Sequence, residues 1–256
     1  NTDANTDFKV SAAALKEAVT PRTKMIVLNS PCNPTGSVYS RGELEALAEV
    51  ILAHDLVVLS DEIYAELLYD GGSHTSIAAL GPEIKARTVL IDGVSKTYAM
   101  TGWRIGYAAA PANVAKAMTD LQSQSTSNPN SIAQKAALAA LTGSQEPVKA
   151  MRQEFEQRRN RILAGLRELP GITCNKPGGA FYVFPYIGAL FGRKFRDQQL
   201  NNSTDVAAAL LNHFQVAVVP GVAFGAEPYM RMSYATSMDA INTGLERLKQ
   251  FVSELK

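Results

Sequence analysis

Apolar and polar residues alternate along the first half of the chain in blocks that predict short strands separated by helices. Apolar runs predict strands at 24–28, 56–59, 88–91 and 105–109. After the first run, Ser40 and Glu43 have the spacing of a capping box, and apolar residues recur at helical spacing from Leu44 to Leu52. Strands that alternate with helices predict an α/β fold with a mostly parallel sheet.

The second half of the chain has longer helical stretches and shorter strands. Helical spacing predicts helices at 113–121, 132–141, 148–169, 205–214 and 238–255. Short apolar runs predict strands at 181–184, 216–219 and 230–234. We therefore predict a larger domain at 1–149 and a smaller C-terminal α+β domain at 150–256.

Composition and charge argue against several classes of protein. The 256 residues include 25 Lys+Arg and 24 Asp+Glu, a net charge of +1 without a basic stripe, so no nucleic-acid partner is expected. No apolar run approaches the ~20 residues of a membrane span, and the first residues show no secretory signal. Cys32 and Cys174 form no CxxC pair. We therefore expect a cytoplasmic protein with two reduced thiols and no membrane partner.

Several common catalytic signatures are absent from the sequence. It contains no G-x-G-x-x-G, no G-x-x-x-x-G-K-[ST] and no G-x-S-x-G motif. His54, His74 and His213 are isolated, without the spacing of a metal site, and are interpreted as structural or surface residues. Triad hydrolysis and metal catalysis are therefore disfavoured.

Polar residues follow three of the predicted strands, where ligands bind in open α/β sheets. These residues are Asn33, Asp61 and Lys96. A desolvated lysine can form a Schiff base with a carbonyl. Ser95 and Arg104, on either side of Lys96, offer a hydroxyl and a guanidinium suited to a phosphate. A lysine, phosphate donors and a carboxylate are the groups that a pyridoxal phosphate site uses.

Five motifs occur in order along the chain. They are N-S-P-C-N-P-T-G (29–36), S-D-E-I-Y (60–64), G-V-S-K-T-Y-A-M-T-G-W-R-I-G (93–106), Q-S-Q-S-T-S-N-P (122–129) and Y-M-R-M-S-Y-A (229–235). With this set the chain resembles, over essentially its whole length, the class I/II aminotransferases of fold type I, and among them the bacterial aspartate aminotransferase group. The resemblance implies a three-layer α/β/α large domain. It also implies transamination between an L-amino acid, aspartate above all, and a 2-oxo acid such as 2-oxoglutarate.

The resemblance also implies roles in binding pyridoxal 5′-phosphate. Lys96 would form the Schiff base and, once freed by substrate, move the proton at the substrate Cα. Asp61 would keep the pyridine nitrogen protonated, and Tyr64 and Asn33 would hydrogen-bond the phenolic oxygen of the cofactor.

Further residues are implied for the phosphate and the substrate. Ser95 and Arg104 would hold the phosphate of the cofactor. Arg231 would bind the substrate α-carboxylate as a bidentate pair, with Asn33 close by.

Two other functions share the same scaffold. One is a pyridoxal-phosphate-dependent lyase, because proton removal at Cα is common to both reactions. The other is a regulatory domain that binds the cofactor without turnover, although the sequence has no basic helical head of the kind such regulators carry.

The family normally carries a long stretch before the position where this chain begins. That stretch supplies an arm, part of the small domain, a phosphate-binding loop and an aromatic residue that stacks on the ring. We therefore expect a protein that is longer at its N-terminus and works as a homodimer with a shared active site. The 256-residue chain alone is expected to be a poor transaminase.

Overall fold

The computed structural model describes residues 2–256. Contacts divide the chain into two compact units. The first contains the residues up to Cys32 together with Ser37–Arg152, and the second contains Asn33–Gly36 and Gln153–Lys256. The domain boundary predicted near residue 150 stays a prediction.

The first unit contains a four-stranded sheet in the order β1-β2-β3-β4. The strands are β1 (Met25–Asn29), β2 (Val57–Asp61), β3 (Thr88–Gly93) and β4 (Gly106–Ala109). β1, β2 and β3 are parallel, whereas β4 pairs with β3 in the antiparallel sense. The mostly parallel sheet and its helices confirm the predicted α/β class.

Four helices of the first unit were predicted to within a few residues. The helices are α1 (Ala12–Ala18), α2 (Arg41–Ala53), α3 (Pro82–Lys85), α4 (Val94–Thr97), α5 (Ala112–Ser125), α6 (Ser131–Thr142) and α7 (Glu146–Arg167), whose later part belongs to the second unit. The predicted capping box is confirmed, because Ser40 N-caps α2 and its backbone N–H donates to Glu43 Oε2 at 2.7 Å. α1, α3 and α4 were not predicted; in α1 only Leu15 is buried, so no apolar period is visible.

The core of the first unit forms between α2 and one face of the sheet. Leu28 of β1 and Val58 of β2 pack with Leu44, Leu47 and Ile51 of α2. Side chains of a strand alternate between its faces. Apolar side chains on the opposite face of β1 are exposed, and Val27 is 63% exposed.

The second unit has α+β structure. Its strands and helices are β5 (Tyr182–Val183), β6 (Lys194–Phe195), β7 (Gln198–Gln199), α8 (Ser203–Phe214), β8 (Val219–Pro220), β9 (Met230–Ser233) and α9 (Met238–Glu254). An antiparallel sheet has the order β5-β9-β8, and β6 and β7 form a separate hairpin.

The prediction of a strand at 216–219 is largely wrong. Of the predicted residues only Val219 is in β8, and Val216 bonds to the end of α8. Gln215 adopts a left-handed conformation, with φ of 54°, and the N–H of Val216 donates to the Leu210 carbonyl at 3.1 Å. The first residue of the apolar run therefore satisfies a carbonyl group at the helix end instead of pairing in a sheet.

Candidate active site

Four of the predicted site residues line one open cavity in the first unit. Asp61, Ser95, Lys96 and Arg104 surround a volume of about 380 Å³. Asp61 ends β2, Ser95 and Lys96 lie in α4 directly after β3, and Arg104 precedes β4. The three connections bring together residues that are far apart in the sequence.

A close backbone approach fixes the helix that carries Lys96. The N–H of Val94 donates to the carbonyl of Ile105 at 3.4 Å. A Cβ added to Gly93 would lie 2.9 Å from that carbonyl oxygen and 3.2 Å from Ile63 Cδ1. Glycine is therefore required where the end of β3 meets the start of β4, because a larger residue would displace α4.

The turn after β2 places Tyr64 beside Lys96. The ammonium nitrogen of Lys96 lies 5.9 Å from the centroid of the Tyr64 ring, which is 3% exposed. Asp61 Oδ1 accepts from the Ile63 N–H at 3.2 Å, and the Asn29 side chain donates to the Asp61 carbonyl at 3.2 Å. These bonds hold the carboxylate and the phenol on one short turn.

Arg104 lies in the connection that leads to β4. It ends the 3-10 turn Thr101–Trp103 in a left-handed conformation, with φ of 56°. Its Nη1 donates to the Thr101 carbonyl at 2.9 Å. The side chain is exposed, so its remaining N–H groups are accessible from the cavity.

A second carboxylate lines this cavity, that of Asp92 on β3, and it was not among the predicted site residues. Its Oδ1 accepts from the Gly93 N–H at 2.6 Å and its Oδ2 accepts from the Tyr107 hydroxyl at 3.1 Å. Burial raises the pKa of Asp92, although these two hydrogen bonds lower it. Burial and the Asp92 charge raise the pKa of Tyr107 to about 12. The sequence signal for Asp92 was its position between the apolar run 88–91 and Lys96.

A buried carboxylate also supports the turn after β2. Glu62 is 5% exposed. Its Oε1 accepts from the hydroxyls of Ser60 at 2.8 Å and Ser76 at 2.7 Å, and its Oε2 lies 2.7 Å from His74 Nε2. Burial alone would raise the pKa of Glu62, but these contacts outweigh burial and hold it below its ordinary value. These contacts fix Glu62, which directly follows Asp61, and so hold the start of the turn in place.

The second unit brings together Arg231 and Asn33, the two residues predicted to bind substrate. Arg231 Nη1 donates to Asn33 Oδ1 at 2.8 Å. The guanidinium carbon lies 4.6 Å from the ring centroid of Tyr182 and 5.2 Å from that of Phe224. One hydrogen bond and two ring contacts therefore orient the guanidinium. The predicted contact of Asn33 with the cofactor stays a prediction.

The groups around the first cavity match the needs of pyridoxal 5′-phosphate. Lys96 offers an amine for the aldehyde, Asp61 a carboxylate for the ring nitrogen, and Ser95 and Arg104 donors for the phosphate. Among residues 2–256, no group of three or more His, Cys, Asp and Glu side chains has the arrangement of a metal site. No helix in the same part of the chain combines the length and apolar character needed to cross a membrane.

Comparison with known proteins identifies the family. Residues 1–248 match the family model for aminotransferase class I and II, and the chain belongs to this family. The predicted family is therefore confirmed, and pyridoxal 5′-phosphate is the cofactor of this family.

Individual relatives agree with this result. The chain is 55% identical over 248 residues to the aspartate aminotransferase of Geobacillus stearothermophilus, covering 96% of this chain and 61% of the relative. It is 47% identical to the aspartate/prephenate aminotransferase of Nitrosomonas europaea, covering 96% and 63%. The crystal structure of the Rhizobium meliloti aspartate aminotransferase matches with a TM-score of 0.96 and 42% identity, covering 100% of this chain and 64% of that chain. The chain thus spans about 61 to 64% of the length of these relatives.

Proposed function

We propose that this chain carries the lysine and the carboxylate-binding arginine of a pyridoxal-phosphate-dependent aminotransferase. The reaction moves an amino group from an L-amino acid, aspartate above all, to a 2-oxo acid such as 2-oxoglutarate. The observation that supports it most is the cavity lined by Lys96, Asp61, Ser95 and Arg104. Family membership supports the same reaction class.

The residues of α4 and its flanks would hold the cofactor. When bound, pyridoxal 5′-phosphate supplies an aldehyde that condenses with amines and a ring that accepts electrons from Cα. Lys96 would offer its amine to this aldehyde and, once released by substrate, would take the proton from the substrate Cα. Ser95 and Arg104 bind the phosphate with a hydroxyl and a guanidinium.

Asp61 and Tyr64 would act on the ring. The Asp61 carboxylate would keep a proton on the ring nitrogen, and this charge would stabilise the negative charge that proton removal from Cα creates. Tyr64 would donate a hydrogen bond to the ring oxygen, and the amide of Asn33 would be a second donor for the same oxygen. Tyr64 is nearly fully buried, so little water competes for its hydroxyl group.

Arg231 would bind the α-carboxylate of the substrate. Its planar guanidinium can make two parallel hydrogen bonds to a carboxylate, which a lysine cannot do. The contact with Asn33 Oδ1 at 2.8 Å orients this plane before substrate arrives. Preorientation lowers the entropy lost on binding.

The experiment is a pair of half-reactions in the protein that carries this chain, loaded with pyridoxal 5′-phosphate. Aspartate should yield one equivalent of pyridoxamine 5′-phosphate, and 2-oxoglutarate should then restore the starting form. Ammonia release without pyridoxamine 5′-phosphate would indicate the lyase, and no conversion would indicate a binding domain. The Lys96→Ala variant, loaded in the same way, is the control.

The same assay tests which side chain the amino-acid substrate carries. Relatives are named for aspartate alone or for aspartate and prephenate. Single turnovers with aspartate, glutamate, alanine, tyrosine and arogenate should be fastest with aspartate. Faster conversion of arogenate would change the proposed substrate to the prephenate/arogenate pair.

We also propose a cytoplasmic homodimer with a shared active site. Exposed apolar side chains on α5 and α6 support association with further polypeptide, since Leu121 is 73% and Ile132 70% exposed. The free thiols of Cys32 and Cys174 support a reducing compartment. Light scattering coupled to size-exclusion chromatography tests the dimer, and cell fractionation tests the location. A monomer or a secreted protein would contradict these proposals.

A further inference from the structure

The second unit contains a fully buried arginine that does not line the cavity around Lys96. Arg159 of α7 is 0% exposed. Burying a charge is destabilising unless its hydrogen bonds are satisfied. Nε and Nη2 donate to Asn160 Oδ1 at 3.1 and 2.9 Å, and Nη2 lies 3.3 Å from Glu156 Oε1. These contacts satisfy one side of the guanidinium within α7 itself.

The other side of the guanidinium reaches a distant loop. Arg159 Nη1 donates to the Pro177 carbonyl at 3.0 Å. The N–H groups of Gly178 and Gly179, which follow directly, both donate to the Gly36 carbonyl at 2.9 and 3.0 Å. Arg159 thus holds the loop that in turn binds the backbone of Gly36.

Gly36 packs closely against the loop 177–179. Gly36 has a left-handed φ of 70°, and an added Cβ would lie 2.4 Å from Pro177 Cβ and 2.8 Å from the Gly179 carbonyl oxygen. Gly36 ends the segment Asn33–Gly36, whose first residue accepts the hydrogen bond from Arg231. Three hydrogen-bonded contacts therefore connect Arg159 to Arg231 within the second unit.

We propose that Arg159 is a positioning residue for the carboxylate site. It fixes the loop at Pro177, the loop fixes the segment Asn33–Gly36, and Asn33 holds the guanidinium of Arg231. The rigid fork of an arginine suits this task, because it bonds Asn160 and the Pro177 carbonyl in different directions, whereas a lysine offers a single nitrogen. The inference rests on the proposed function only in assigning a carboxylate to Arg231.

Amide hydrogen exchange tests the connection independently of turnover. In the Arg159→Lys variant, a peptide containing Gly178 and Gly179 should exchange faster than in the wild type. Arg167→Lys is the matched control, since Arg167 is an exposed arginine of the same helix, and should leave the exchange unchanged. Unchanged exchange in a folded Arg159→Lys variant would overturn the proposal.

Kinetic measurements test whether Arg159 affects the binding of the substrate carboxylate at Arg231. In Arg159→Lys the KM for aspartate should rise about tenfold, the effect of one weakened hydrogen bond to a charged group. Single turnover of an alkylamine without a carboxylate should be unchanged, because it does not use Arg231. A uniform loss for both amines would indicate general structural damage and would contradict a positioning role.

If Arg159→Lys does not fold, the connection between the loop and Arg231 is tested in the wild-type protein with succinate. Coupling between two sites is reciprocal, so succinate bound at Arg231 should slow exchange of the Gly178 and Gly179 amides. Succinate that binds without changing this exchange would overturn the proposal. If calorimetry detects no succinate binding, the carboxylate assignment of the proposed function fails. The Arg159→Gln variant, which is uncharged and keeps an amide donor, then tests the connection alone: it should still speed the same exchange, and unchanged exchange would overturn the proposal.

Discussion

The guanidinium of Arg231 donates a hydrogen bond of 2.8 Å to the side-chain oxygen of Asn33, although 198 positions separate the two residues. Asn33 reaches this position because the segment Asn33–Gly36 packs with the second unit, while its neighbours Cys32 and Ser37 belong to the first. The Cys32 N–H donates to the Ser37 carbonyl at 2.9 Å and closes the base of this loop. A short turn therefore supplies a polar group to a distant strand.

We expect Asn33 and Arg231 to act together in carboxylate binding. Arg231→Lys should raise the KM for aspartate ~10- to 100-fold, because a bidentate pair to a charged group is lost. In a double-mutant cycle with Asn33→Ala, the two changes should be non-additive by ~0.5 to 3 kcal/mol. Titration of all four proteins with succinate measures this coupling. Additive effects would show that Asn33 does not orient the guanidinium.

Lys96 should be the only lysine attached to the cofactor. In Lys96→Ala, reduction with borohydride should leave no pyridoxyl group on the protein, and turnover should be lost. Lys96→Arg should not restore either property, because a guanidinium stays protonated and cannot act as the nucleophile. Peptide mapping after reduction is the measurement, and the exposed Lys116→Ala variant is the control. A pyridoxyl group on another lysine peptide would contradict the assignment.

Replacing Asp61 with asparagine should slow proton removal more than it weakens cofactor binding. An ion pair at ~4 Å with an effective dielectric constant of ~20 is worth ~4 kcal/mol. Losing it in the transition state slows the step on the order of 1000-fold. Deuterium exchange at the substrate Cα measures the step, with Asp55→Asn before β2 as control. Equal rates in Asp61→Asn and wild type would place the carboxylate elsewhere.

Local sequence signals predicted the elements that carry the cavity. The strands before Asp61 and Lys96 are continuous apolar runs, and the capping box at Ser40 depends on residues three apart. Such patterns are visible because neighbours in sequence are neighbours in space.

Features that depend on distant contacts could not be predicted in this way. Arg159 lies in a helix rich in charged residues, so its sequence gives no sign that it is buried. The pairing of Asp92 with Tyr107 requires β4 to run antiparallel to β3, which apolar patterning does not reveal. Both features follow from tertiary packing and not from local propensity.

Glu62 should stabilise the fold at neutral pH and lose this effect in acid. Its folded pKa is below the ordinary value of 4.5, so its contribution is present above pH 4.5 and disappears as pH falls through the folded pKa. Glu62→Gln should lower the free energy of unfolding by ~1 to 3 kcal/mol at neutral pH, with the difference shrinking below pH 4.5. Urea unfolding across this range measures it, with the exposed Glu66→Gln as control. A pH-independent difference would contradict the linkage.

The Asp92 carboxylate should control the ionisation of Tyr107. Burial is the largest cause of the raised pKa of Tyr107, about 12, and the charge of Asp92 and its hydrogen bond add to it. Asp92→Asn removes the charge but keeps the shape, so the pKa of Tyr107 should fall while remaining above the ordinary 10.0. Ultraviolet difference titration measures the shift, and Tyr107→Phe identifies the signal among the nine tyrosines. If Asp92→Asn leaves the titration unchanged, the 3.1 Å contact between the two side chains is not formed in solution.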